Sequence, residues 1–222
     1  MEKKYIDLAK LSEQIGCVFE DVEVKPGVVI RQTHWTKADY QTAKAAIREQ
    51  ISADPDASFA IYGSPDPWNT VALVKELGVR YVYPWLEHPE KIELDLSPLP
   101  VGLPEDNYDV RFEIREEGER IFLNMTSDNP DLPRGEGTPH TFRLENVMKV
   151  HVPEIPAGKD VYLHAWGMYS VMCAVAATLA ESARSVFLAS HATDYFCCAT
   201  RTPEHEIGDS AKRTWENTLP HC

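Results

Sequence analysis

No run of Lys and Arg occurs anywhere in the 222 residues. Acidic residues outnumber basic ones 35 to 22, for a formal net charge of −13. Long nucleic acid is held by clustered cations that neutralise phosphates, so it is not expected as a partner. Long apolar runs are missing too. The longest lies around Val171–Ala180, short of the roughly 20 residues that span a bilayer, and no membrane partner is expected. The opening MEKKYIDLAK has no apolar signal-peptide core, so the expected location is cytoplasmic. Cysteines are few: Cys17, Cys173, Cys197, Cys198 and Cys222. An odd number without framework spacing fits reduced thiols, and the lack of Cys-x-x-Cys speaks against zinc. Neither G-x-x-x-x-G-K-[ST] nor G-x-G-x-x-G is present, which removes the P-loop and the dinucleotide fingerprint.

What remains is an apolar share of 43%, enough for a sizeable core. In the first half, periodicity predicts a helix over Tyr5–Ile15 and a hairpin over Val22–Arg31 turning at Pro26-Gly27. A second helix is predicted over Lys37–Ile51 and a buried strand over Phe59–Tyr62. A helix over Trp68–Leu77 follows, with Asp66 as N-cap, Pro67 at the first helical position and Gly78 as its stop. Val79–Tyr83 and Lys91–Leu96 read as strands. Ser97–Asn107, with three prolines, reads as a linker.

In the second half, Tyr108–Met125 alternates on both sides of Glu117-Gly118, a hairpin signal. A strand over Val161–Ala165, a turn at Trp166-Gly167 and a helix over Met168–Glu181 come next. Strands over Ser185–Leu188 and Tyr195–Thr200 complete the pattern. At a constant offset of 104, Gly63 falls on Gly167, Val71 on Val175, Ala72 on Ala176, Arg80 on Arg184 and Val82 on Val186. The expected fold is therefore α/β: two tandem strand-turn-helix-strand units with a β-hairpin, pseudo-dimeric. The expected domains are an N-terminal α/β repeat, 1–100, and a C-terminal α/β repeat with the hairpin, 101–222. The helix over Met168–Glu181 is apolar nearly all round, so it should be buried on every side, against its first-half counterpart or a second copy of the chain. A homo-oligomer is expected.

Each half places a glycine turn before a helix start, where unpaired N–H groups and a partial positive charge favour an anion. The stretch from Val161 to Pro203 carries two acids and two bases, so it does not repel a small anion. Gly63, Ser64, Asn69, Gly167 and Ser170 are the candidate polar ligands of such an anion, with Trp68, Trp166 and Tyr169 as stacking surfaces for a base. His164 ends one strand, and His191 and Asp194 sit between the next two. A neutral imidazole there serves as general base, with Asp194 to orient it; the same groups suit a divalent metal ion, the candidate cofactor. Cys197 and Cys198 are adjacent on a strand, so they point to opposite faces.

The hairpin, the segment VPEIP, and then ARSVFLASHATDYFCCATRTPEHEIGD ending in Gly208-Asp209 resemble one family. It is the third-numbered Csx family of CRISPR-associated proteins, found beside type III CRISPR systems. The similarity covers about Tyr108–Asp209 and, more faintly, Val22–Leu96. Where the family has an Asp-Pro-Arg turn, this chain has Ala189-Ser190-His191; the family's Gly-x-x-Pro-x-Trp survives partly in Gly63–Trp68. The resemblance implies binding of a cyclic oligoadenylate second messenger at a subunit interface, with metal-dependent ring opening. The expected partners are thus a small cyclic nucleotide and type III CRISPR components. The alternative is a non-catalytic adaptor or subunit of a defence complex, with the acidic first half as its partner surface.

Overall fold

Lys3–Asp7 forms a strand, β1, which takes in Tyr5–Asp7, the first residues of the helix expected over Tyr5–Ile15. The computed structural model describes residues 2–25, 27–63, 66–82, 93–94, 96–104, 110–127, 147–165, 169–190 and 194–212. It shows a mixed α/β protein. The chain divides into two units, Met1–Asp95 and Leu96–Cys222.

In the first unit the helix α1 begins only at Leu8 and ends at Gln14. Asp7 decides that start, because its Oδ1 accepts the Ala9 and Lys10 N–H groups at 3.0 and 3.2 Å. The preceding residues then pair in parallel with β4, Ser58–Tyr62, from Lys3 opposite Ser58 to Asp7 opposite Tyr62. Strands β2, Phe19–Lys25, and β3, Val28–Thr33, form an antiparallel ribbon. The helix α2, Lys37–Ala53, opens on a capping box in which Thr36 and Asp39 exchange bonds. It buries Tyr40, Ala43 and Ile47, one helical face. The helix α3, Pro67–Leu77, carries β4 over to β5, Arg80–Val82. Tyr40 donates its hydroxyl to Glu76 across the α2–α3 contact, and Lys44 reaches the same carboxylate at 3.0 Å. With β6, Glu93–Leu94, the sheet order is β1-β4-β5-β6; the first three strands are parallel and the last is antiparallel.

In the second unit β7, Val110–Glu117, and β8, Arg120–Ser127, make the expected hairpin. The two-residue turn is Gly118-Glu119, one residue later than the sequence suggests; Gly118 takes φ 59°, where a side chain would be strained. Strand β9, Asp160–Ala165, lies parallel to β8. The helix α4, Tyr169–Leu179, crosses to β10, Ser185–Ala189, parallel to β9. Antiparallel β11, Asp194–Thr200, and β12, Ser210–Lys212, complete the order β12-β11-β10-β9-β8-β7. Every residue from Ser170 to Leu179 is buried.

Residues 97–104 of the expected linker dock on the second unit, and 105–107 lie outside the described residues. Leu99 donates its N–H to Thr178 Oγ1 on α4 at 2.9 Å, and Gly102 N–H reaches Val152 O at 2.9 Å. Val101 and Val152 form a parallel bridge. The prolines of this stretch fit a segment that docks by a few backbone bonds instead of joining a ladder.

Both units carry a parallel strand pair joined by one helix and flanked by a further parallel and an antiparallel strand. The constant offset of 104 does not survive at the level of strand pairing. Ala60 lies opposite Arg80, whereas Asp160 lies opposite Ser185, so the second crossover is five residues longer.

Candidate functional site

Parallel strands β8, β9 and β10 end at one edge of the second sheet, where antiparallel β7 and β11 begin. Such carboxyl edges are where open α/β sheets take ligands. His164 stands there, the penultimate residue of β9. Register places Glu113 opposite Asn124 and Asn124 opposite His164, so the three share a row on one face. Asn124 Nδ2 donates to Glu113 Oε2 at 3.3 Å, and His164 Nδ1 lies 3.1 Å from Asn124 Oδ1. Arg111 and Thr126 make the next row toward the edge on that same face.

The row behind His164 is aromatic. Phe122, Tyr162 and Phe187 are opposite one another on β8, β9 and β10. Tyr162 stacks on Phe122 and Phe187 with ring centroids at 5.0 and 4.6 Å, and Tyr195 meets it edge-on at 5.3 Å. Arg115 lies 4.9 Å over the Phe122 ring, and His205 meets Phe187 edge-on. Ile207 and Ala211 close the cluster. Burial pushes the Tyr162 hydroxyl above its ordinary pKa. His164 and this row lie on the same face of the sheet, two residues apart along β9.

Asp194 does not orient His164. It opens β11, with β10 between, so the two strands are about 10 Å apart. Alternation settles the faces as well: His164 is two residues from Tyr162, while Asp194 is adjacent to Tyr195, and both tyrosines belong to the aromatic cluster. His164 and Asp194 therefore point to opposite faces. The opposite face of β9 and β10 is buried at Val161, Leu163, Val186 and Leu188, and α4 packs against these two strands. Tyr169 and Ser170 open α4, and Ser170 is buried. The candidates His191, Ser64, Trp166 and Gly167 lie outside the described residues.

In the first unit the equivalent edge holds Asp7, Tyr62 and Gly63 at the ends of β1 and β4. Burial and the Asp7 carboxylate raise the Tyr62 pKa. Gly63 has φ +70°, and a Cβ there would lie 3.3 Å from Asp7 Oδ1. Asp66 occupies the N-cap position of α3 without a side-chain cap bond. Its carboxylate, 1% exposed, instead meets His34 Nδ1 at 3.1 Å. That hydrogen bond is the largest cause of the raised His34 pKa. Trp68 is fully buried against Tyr40, ring centroids 5.4 Å apart, and Asn69 is fully buried too. Stacking of a base on Trp68 therefore requires this contact to open.

No three His, Cys, Asp or Glu residues gather as a metal site among the described residues. His191, one of the donors expected for a divalent ion, lies outside the described residues. Cys197 and Cys198 are both buried and bond separately, to Ala199 O at 3.5 Å and Val186 O at 3.4 Å. No described helix is long and apolar enough to cross a membrane.

Sequence reading missed Asn124, Glu113 and His34. The first two were within reach: a two-residue turn at Gly118-Glu119 forces Glu113 opposite Asn124. The pairing of β8 with β9 has no local signal.

Fold and site define a mixed α/β protein with a histidine held at the carboxyl edge of three parallel strands that antiparallel strands flank on both sides. Comparison of the chain with protein-family models, curated proteins and solved structures gave no match.

Proposed function

We propose that the chain binds a cyclic oligoadenylate, or a similarly small cyclic nucleotide, at the carboxyl edge of the second sheet and opens its ring, in association with a type III CRISPR system. The observation that carries this reading is His164, held by Asn124 at 3.1 Å, with an aromatic row two residues back along the strands. Its imidazole accepts the proton of a ribose 2′-hydroxyl. The 2′-oxygen attacks the adjacent phosphorus, the P–O5′ bond breaks, the leaving 5′-oxygen takes a proton from water, and the imidazolium returns its proton to solvent. The products are a 2′,3′-cyclic phosphate and a 5′-hydroxyl. Arg111, exposed on the same face, supplies positive charge toward the phosphate. The similar order of strands around the two crossover helices supports the tandem, pseudo-dimeric reading.

Calorimetry with cyclic tetra-adenylate tests binding; no heat at high micromolar ligand overturns it. In His164→Ala, ring opening should vanish while binding heat remains. Loss of neither overturns the assignment of the base. A protein partner that co-purifies while no nucleotide binds points instead to an adaptor.

A further inference from the structure

Glu113, Asn124 and His164 form one hydrogen-bonded row across β7, β8 and β9. We infer that Glu113 is a positioning residue: through the Asn124 amide it fixes His164 as the Nδ1–H tautomer, with the lone pair on Nε2. The functional consequence rests on His164 as base; the tautomer itself does not depend on any substrate.

An ionised carboxylate only accepts hydrogen bonds, so the amide end that meets Glu113 Oε2 at 3.3 Å is the NH2 group. The other end is the carbonyl, which also only accepts. The imidazole nitrogen 3.1 Å from it must carry the hydrogen. In a neutral ring that leaves Nε2 as the basic atom. The reverse amide orientation would set carbonyl against carboxylate. Asn124 is 8% exposed, so water does little to relieve that contact. Arg111 and Arg115 flank Glu113 on the same face of β7, and Arg115 Nε is engaged by Glu117 at 3.0 Å. The arrangement is a carboxylate-amide-imidazole relay that ends at the sheet edge, and each member is placed by strand register. An outer partner of this kind acts by holding a ring in one form, not by touching substrate.

The test uses the full chain labelled with 15N-histidine. Two-bond 1H–15N correlation spectra, recorded above the imidazole titration, separate protonated from unprotonated ring nitrogens. His164 is assigned by the signals that disappear in His164→Gln. A protonated Nδ1 is expected, and a wild-type ring protonated at Nε2 overturns the inference without any variant. In Glu113→Gln the side chain both donates and accepts, so the amide is released and the Nε2–H form should appear. An unchanged, purely Nδ1–H ring in a folded Glu113→Gln overturns the inference. If that variant does not fold, Glu113→Asp, too short to reach, is read in the same way. With cyclic tetra-adenylate, Glu113→Gln should lower kcat about 10- to 100-fold with KM unchanged. The expected tautomer in a chain without ring-opening activity sinks the proposed function but upholds the relay. Activity that is insensitive to Glu113→Gln overturns its positioning role.

Discussion

Arg184 forks onto Asp160: Nε and Nη2 donate to its two carboxylate oxygens at 2.9 and 2.7 Å. The pair ties the start of β10 to the start of β9, at the sheet edge opposite His164. His205 Nε2 adds a contact to the same carboxylate at 3.4 Å. Burial alone would raise the Asp160 pKa; the Arg184 fork and then His205 outweigh it and hold the group below the ordinary carboxylate range. A depressed folded pKa stabilises above the unfolded value, and the contribution is lost as pH falls through the folded one. Asp160→Asn should therefore cost on the order of 2 kcal/mol at neutral pH. Urea midpoints of variant and wild type should converge as pH falls below about 4. Parallel curves down to acid pH would show that the pair contributes nothing pH-dependent.

His34 gives the opposite slope. Its pKa is raised, first by the hydrogen bond to Asp66 and also by the Asp66 and Glu20 charges, against a smaller opposing effect of burial. A raised folded pKa stabilises fully below the unfolded value, near 6.5, and the contribution fades as pH rises through the folded value. The first unit should lose stability between neutral and mildly alkaline pH. Asp66→Asn should flatten that dependence and return the His34 titration toward its ordinary value. Both are measured by NMR titration of the His34 ring alongside urea unfolding. A His34 that titrates normally in the wild-type chain contradicts the pair.

Local signals carried much of the fold. The run of helix formers from Lys37 places the start of α2, and Pro67 and Gly78 bracket α3 within one residue. Glu117-Gly118 marks the β7–β8 hairpin to within one position. The failures share one physical cause. Tyr5 and Ile6 lie in a helix-like periodicity, yet β4, more than fifty residues away, recruits them as a strand. Likewise, Asp194 looked like the natural partner of a loop imidazole. The true partner of His164 came from β8, forty residues earlier, because a parallel neighbour cannot be read from nearby sequence. Asp66 was legible as a cap position but not as the acceptor for His34, for the same reason.

The buried state of α4 makes a sharp prediction about size. Ala176 has no exposed surface, and its neighbours Val175 and Ala177 are buried as well. Ala176→Leu adds three carbons to a filled space and should destabilise by about 1–3 kcal/mol, visible as a lower Tm in thermal unfolding. The conservative Cys173→Ala should cost less, since it removes one sulfur from a buried site and adds nothing. If Ala176→Leu were neutral, α4 would have open space on that side.

Thr178 decides whether residues 96–104 belong to the second unit. Its hydroxyl donates to Ala174 O at 2.8 Å and accepts the Leu99 N–H at 2.9 Å, and both residues are buried. Thr178→Val keeps the shape and leaves the Leu99 N–H without its acceptor, a buried loss of about 1–3 kcal/mol. The effect should be local first. Hydrogen exchange at Leu99, and at Gly102 and Val152, which bond each other's segments, should quicken before the β8–β9 amides respond. Limited proteolysis should likewise cut the variant within 97–104 while sparing the wild type there. Equal cutting in both proteins would return this stretch to the role of a linker, because a docked segment resists the protease only while its backbone bonds are closed.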